Sequence, residues 1–85
     1  MKELINQHDL EGRPHGVWED YRSDGTLWWR RHYHHGTLHG VWENYWGNGT
    51  LWGRVHYHHG VRKGLETWCD YQGRIIDKKY HLVIR

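Results

Sequence analysis

The sequence predicts an all-β protein, an antiparallel meander of tandem β-hairpins in a single curved sheet of about six or seven strands. The first observation behind this is an internal repeat. Residues 16–39 and 40–63 align without a gap and are identical at fifteen of 24 positions. The second is the punctuation of each copy by turn chemistry: Ser23-Asp24-Gly25, Gly47-Asn48-Gly49 and Tyr71-Gln72-Gly73 recur at the same offset. Such triplets, each closed by glycine, suit tight hairpins. The third is the lack of apolar residues at 3.6-residue spacing. The glycines leave no room for a helix apart from one turn at 1–7.

The elements follow in order. Gly12 lies 24 residues before Gly36, so a repeat fragment at 6–15 precedes the first full copy, with its strand at about 6–11. Residues 17–22, rich in strand formers, make the first strand of repeat one (16–39). After the Gly25 turn a longer strand runs over 26–35. Repeat two (40–63) has its long strand at 50–59, and a degenerate capping repeat (64–85) has one at 74–83. Segments of the form Gly-xxx-Gly, at Gly12–Gly16, Gly36–Gly40 and Gly60–Gly64, read as the links between units. The third copy keeps Gly64 and Gly73, Ile75 at the Leu27/Leu51 position and Lys78 at the Arg30/Arg54 position. Residues 1–85 thus read as a single domain.

Composition narrows the class. Thirteen of the 85 residues are Trp or Tyr, Phe is absent, ten are His and one is Cys. Disordered chains are poor in aromatics, so a folded chain is expected. A lone Cys excludes an internal disulfide framework and a four-Cys zinc site. Aliphatic runs are far too short for a transmembrane helix, and residues 1–7 lack the apolar core of a signal peptide. A cytoplasmic protein without membrane association is the expectation. The formal charge is +2 with His neutral, and protonating all ten His would raise it to +12 (2 + 10). That favours an anionic partner at low pH, but it is not the strongly basic character of a nucleic-acid binder.

The recurring elements Gly16, Trp18, Tyr21, Gly25, Leu27, Tyr33 and Gly36 return as Gly40, Trp42, Tyr45, Gly49, Leu51, Tyr57 and Gly60. Over about residues 12–80 this pattern resembles the MORN repeat in its bacterial variant, also found in antitoxin proteins of the YwqK type. The resemblance implies a β-hairpin scaffold for protein–protein interaction, with no catalytic residues to carry over. The third copy departs from it: Glu66 stands at the Trp position, Cys69 at the Tyr position, and Trp68 next door. The His runs are also unlike the family pattern.

Strand alternation places Leu27, Trp29, Arg31, Tyr33 and His35 on one face of the long strand, the expected core side. The other face carries Trp28, Arg30, His32 and His34, repeated as Trp52, Arg54, His56 and His58. These eight are the candidate partner-binding residues: Arg supplies a donor fork, Trp a stacking plane and His adjustable donors. A structural reading competes, in which Trp28 and Trp52 pack on Trp18 and Trp42. Glu19 and Glu43 are expected to pair with Arg30 or Arg54 across the hairpin. His32-x-His34 and His56-x-His58 also have the spacing of strand metal ligands, with His35, His59, Glu19 or Glu43 as third donors. No metal site or cofactor is assigned on that spacing.

No phosphate loop, nucleophile elbow or His-Glu-x-x-His is present. Cys69 has no nucleophile motif around it, so no enzyme activity is expected. The sequence therefore reads as a non-enzymatic, inhibitor-like or antitoxin-like protein that masks a partner protein. A nucleotide or small-anion binder is the alternative, and His-based metal binding a third reading. An open sheet edge leaves homodimerisation available.

Overall fold

The computed structural model describes residues 4–82. They form eight strands: β1 (Gln7–His8), β2 (Pro14–Tyr21), β3 (Leu27–His34), β4 (Thr37–Tyr45), β5 (Leu51–His58), β6 (Val61–Arg62), β7 (Gly64–Cys69) and β8 (Ile75–His81). All belong to one antiparallel sheet in the order β1-β2-β3-β4-β5-β7-β8, with β6 also paired to β5. Strands β6 and β7 are one run interrupted at Lys63, whose backbone N–H donates to the His56 carbonyl at 2.8 Å. The sheet measures 42 × 41 × 21 Å along its principal axes. At one edge, β8 exposes Ile75, Ile76 and Tyr80. Among the described residues no helix is long and apolar enough to cross a membrane.

Two kinds of turn connect the strands. At one end the loops are three residues long. The Gly25 N–H donates to the Arg22 carbonyl and the Arg22 N–H to the Thr26 carbonyl, with the same pairs at Trp46–Thr50 and Asp70–Arg74. At the opposite end, β3 reverses into β4 within two residues. His35 and Gly36 have φ of 45° and 86°, and His59 and Gly60 repeat this at 49° and 82°. Two successive positive φ values define the hairpin turn whose twist matches that of the strands. The Gly-xxx-Gly segments are therefore not links. Thr37 and Leu38 already pair with His34 and Tyr33. The first strand is also shorter than 6–11, because Asp9–Arg13 closes its own three-residue loop. The end of the expected strand at 74–83 reaches beyond the described residues.

A bulge recurs after each three-residue turn. Asp20 pairs with Trp29 but Tyr21 with Leu27, which leaves Trp28 as an extra residue. Trp52 and Ile76 occupy the same position in the next two hairpins. One extra residue resets the alternation. Leu27 and Leu51 consequently share a face with Tyr21, Tyr45, Arg30 and Arg54. Trp28 and Trp52 leave that face for the other. The Trp52 ring lies 6.0 Å from Trp68 and 5.1 Å from Trp46, and Arg22 sits 5.7 Å from the Trp28 ring.

This second face is the aromatic one. Arg31, across from both Trp18 and Trp42, stacks 4.1 Å above Trp29 and 5.6 Å from Trp42. Trp42 meets Trp68 at 6.1 Å, and Val55 beneath them is 1% exposed. The joints between repeats differ in a compensating way. Trp29 faces Asn44 between repeats one and two, whereas Gly53 faces Trp68 between repeats two and three. A Cβ at Gly53 would collide with the Trp68 ring. Backbone ties recur as well: Arg22 donates to the Tyr45 carbonyl at 2.7 Å, and Trp46 to the Cys69 carbonyl at 3.2 Å.

Glu66, at the position of Trp18 and Trp42, is 2% exposed. Its carboxylate accepts from Trp68 at 2.6 Å and from Arg62 at 2.8 Å, and meets His81 at 2.8 Å. The Trp68 hydrogen bond is the largest influence on its pKa. Burial opposes it, and His81 and Arg62 add to it, leaving Glu66 below the ordinary carboxylate value.

Three expectations follow from this packing. Gly53→Ala should lower stability by about 1–3 kcal/mol in urea denaturation, through overpacking against Trp68. Trp68→Leu should lower stability on its own, partly by taking a donor from Glu66, and Gly53→Ala should cost less in that background than in the natural chain. Because the folded-state pKa of Glu66 is depressed, its stabilisation is complete above the unfolded carboxylate value of about 4.3 and fades as pH falls. The stability difference between the natural chain and Glu66→Gln should therefore shrink in urea midpoints taken from about pH 6 down to pH 3.

Candidate functional site

The face opposite the tryptophans carries a hollow of about 590 Å³ lined by Val17, Glu19, Arg30, His32, Val41, Glu43, Arg54 and His56. Residues directly across a strand pair share a face. Val17 faces His32, Glu19 faces Arg30, Val41 faces His56 and Glu43 faces Arg54. Arg30 also stands across from Glu43 on the adjoining strand. The result is a ladder of alternating charge, Glu19–Arg30–Glu43–Arg54, over four neighbouring strands.

Each rung is made the same way. In the first, Arg30 Nε donates to Glu19 Oε2 at 2.6 Å and the Tyr21 hydroxyl to Oε1 at 2.7 Å. In the second, Arg54 Nε donates to Glu43 Oε2 at 2.8 Å and the Tyr45 hydroxyl to Oε1 at 3.0 Å. The pairing expected between these Glu and Arg residues is thus formed. Burial alone would raise the Glu19 pKa, but the bonds from Tyr21 and Arg30 bring it below the usual value. Its bond to Glu19 makes the Tyr21 hydroxyl harder to ionise. Burial first, and then Glu43, do the same for Tyr45. The third copy replaces Glu by Thr67 and Tyr by Cys69, so the ladder stops at Arg54, which faces Thr67.

The eight residues singled out in the sequence divide three ways. Arg30, His32, Arg54 and His56 line the hollow. Trp28 and Trp52 lie toward the other face, 43% and 37% exposed, because of the bulges. The expected packing of Trp28 on Trp18 and of Trp52 on Trp42 is replaced by the Arg22, Trp46 and Trp68 neighbours described above. His34 and His58 lie at the two-residue turns, where each joins a histidine already considered as a third donor, His35 or His59, and one that the sequence pattern did not bring out, His15 or His39.

His34, His35 and His15 form one cluster, and His58, His59 and His39 form another. The rings of the first are 4.4–5.3 Å apart between centroids, and those of the second 4.3–5.1 Å. His35 N–H donates to His15 Nδ1 at 3.0 Å, and His59 N–H to His39 Nδ1 at 3.2 Å. Crowding by neighbours, then repulsion by the positive charge of His35, His15, His39 and His59, disfavours protonation of His34. Burial and then His59, Lys63 and His39 do so for His58. His15 and His39 each precede a glycine and lie 24 residues apart. That spacing is the only sequence trace of their role; it needs the register of β2 on β3 and of β4 on β5 to acquire meaning.

Comparison with protein-family models, with curated proteins and with solved structures finds no match for the chain.

The ladder has a measurable asymmetry. Among the described residues, Glu43 pairs with Arg54 and has Arg30 across from it on the other side, whereas Arg30 is the one Arg beside Glu19. Glu43→Gln should cost roughly 1–3 kcal/mol in denaturation experiments, and more than Glu19→Gln.

Proposed function

We propose that this chain is a non-enzymatic binding protein that captures a partner protein on the face bearing the charge ladder, masking that partner's surface as an inhibitor or antitoxin does. The observation that carries this reading is the hollow itself, built on rigid strands from two copies of the same Val-Glu-Arg-His set. Its carboxylates are bound by Arg and Tyr, an arrangement suited to holding side chains in place rather than to proton transfer. The imidazoles of His32 and His56 line the hollow beside the ladder and make no hydrogen bond among the described residues. They are free to bond a partner. The resemblance of the repeat to the MORN motif supports an interaction role.

The alternative of a nucleotide held between Trp and Arg loses its geometric basis, because the bulges carry Trp28 and Trp52 away from Arg30 and Arg54. The protein-partner reading does not require that sandwich.

The test is affinity capture from the native cell extract, followed by measurement of binding to the captured species. His32→Ala combined with His56→Ala leaves the ladder intact and should weaken binding by about ten-fold or more. Lys79→Ala, across from Glu66 on the aromatic face, should leave binding unchanged. Capture that is indifferent to both histidines, or lost only with Lys79→Ala, would overturn the assignment of this face.

A further inference from the structure

The two histidine clusters are built alike from separate stretches of chain. In each, a strand-end histidine (His34 or His58) precedes the turn, and the first turn residue (His35 or His59) follows it. The neighbouring strand adds a third (His15 or His39). One ring nitrogen from each histidine of a cluster lies within 4.8 Å of those of the other two. Three imidazole nitrogens bound to one tetrahedral ion at about 2.0–2.1 Å would be about 3.3 Å apart. Small side-chain rotations at this exposed edge close that difference.

Turn formation alone does not account for histidine here. A left-handed residue before glycine is most favourably Asn or Asp. Instead, both turns use His, and both face a third His contributed by another strand. The next residue in that series of 24, at the end of repeat two, is Lys63, and only these two clusters occur among the described residues.

The first cluster has a further part. Asp9 Oδ2 meets His35 Nδ1 at 2.7 Å, while Asp9 Oδ1 accepts the N–H groups of Glu11 and Arg13 at 2.9 Å each. With its Nδ1 proton directed to a carboxylate, His35 presents the Nε2 lone pair outward. Metal-binding histidines are commonly oriented in this way. Among the described residues no carboxylate does this for His59.

We propose that the chain binds two divalent transition-metal ions of the zinc class, one at His15/His34/His35 and one at His39/His58/His59, with Asp9 as a positioning residue for the first. Three neutral imidazoles suit zinc, copper or nickel better than calcium or magnesium. Each site leaves at least one coordination position to water. His15 and His39 ligate through Nδ1, and the turn N–H that each nitrogen accepts in the metal-free form passes to solvent. These are not the His32/His34 and His56/His58 pairs suggested by strand spacing, since His32 and His56 lie in the hollow. The proposal is independent of the partner-binding reading.

Calorimetric titration of the untagged full chain with zinc chloride, with native mass spectrometry for stoichiometry, tests it. Saturation at two ions per chain in the micromolar range is expected. His35→Asn should remove one ion and His59→Asn the other, with each variant still folding cooperatively in metal-free buffer, because Asn-Gly favours the same turn. His34→Gln and His58→Gln should repeat those losses without altering the turns. Asp9→Asn keeps Oδ1 for the two N–H groups and should weaken the first site about ten-fold, leaving the second unaffected. Failure to saturate at micromolar zinc, or two ions still bound to the His35→Asn/His59→Asn double variant, would overturn the proposal. An unchanged first site in Asp9→Asn would remove the role given to Asp9.

Discussion

A single sheet has no second layer to cover it, so every group it buries must be buried sideways, against neighbouring strands. This constraint governs the whole molecule. Val55 disappears under Trp42 and Trp68, which reach across from adjoining strands. Arg31 lies flat between Trp29 and Trp42, contributing its guanidinium plane as packing surface. On the opposite face, the Glu and Arg side chains cover one another. Large amphipathic side chains suit this economy: they span strand to strand and still end in a polar group that water or a neighbour can satisfy. The richness in Trp, Tyr, Arg and His is thus a requirement of the architecture as well as of its sites.

Much of the fold was legible because a repeat carries its own register. Glycines at fixed offsets located the hairpins, and identical strands in successive copies implied cross-strand partners, so Glu19–Arg30 and Glu43–Arg54 could be anticipated. What remained hidden depended on single extra residues. The bulges at Trp28 and Trp52 carry no local signature, because the stretch around them reads as uninterrupted alternation. Yet each moves a tryptophan to the other face and so divides a row that looked continuous. The His35-Gly36 turn was hidden for a related reason. His rarely leads a hairpin turn, and its positive φ is tolerated here rather than announced by composition. His15 and His39 became site residues only once the neighbouring strands were in register.

The third copy shows how a repeat can end without copying itself. Trp is lost at position 66 and gained at 68, two residues along the same face, and the vacated place is taken by a carboxylate with three partners. Divergence there is therefore coordinated. A buried Glu with fewer partners would be strongly unfavourable. Arg62 and His81, which look incidental in the sequence, belong to the same substitution.

The exchange of Trp29 facing Asn44 for Gly53 facing Trp68 bears on how such an array can change length. The two full copies are alike enough in sequence for one to be lost by recombination within the coding tract. The position of the crossover would decide the outcome. A junction before residue 29 retains Gly53 opposite Trp68 and yields a shorter chain that can still close its last joint. A junction just after residue 29 brings Trp29 against Trp68, two indoles competing for the volume of one. Closely related repeats are therefore not interchangeable modules, and the order of the copies is written into the sizes of the residues at their seams.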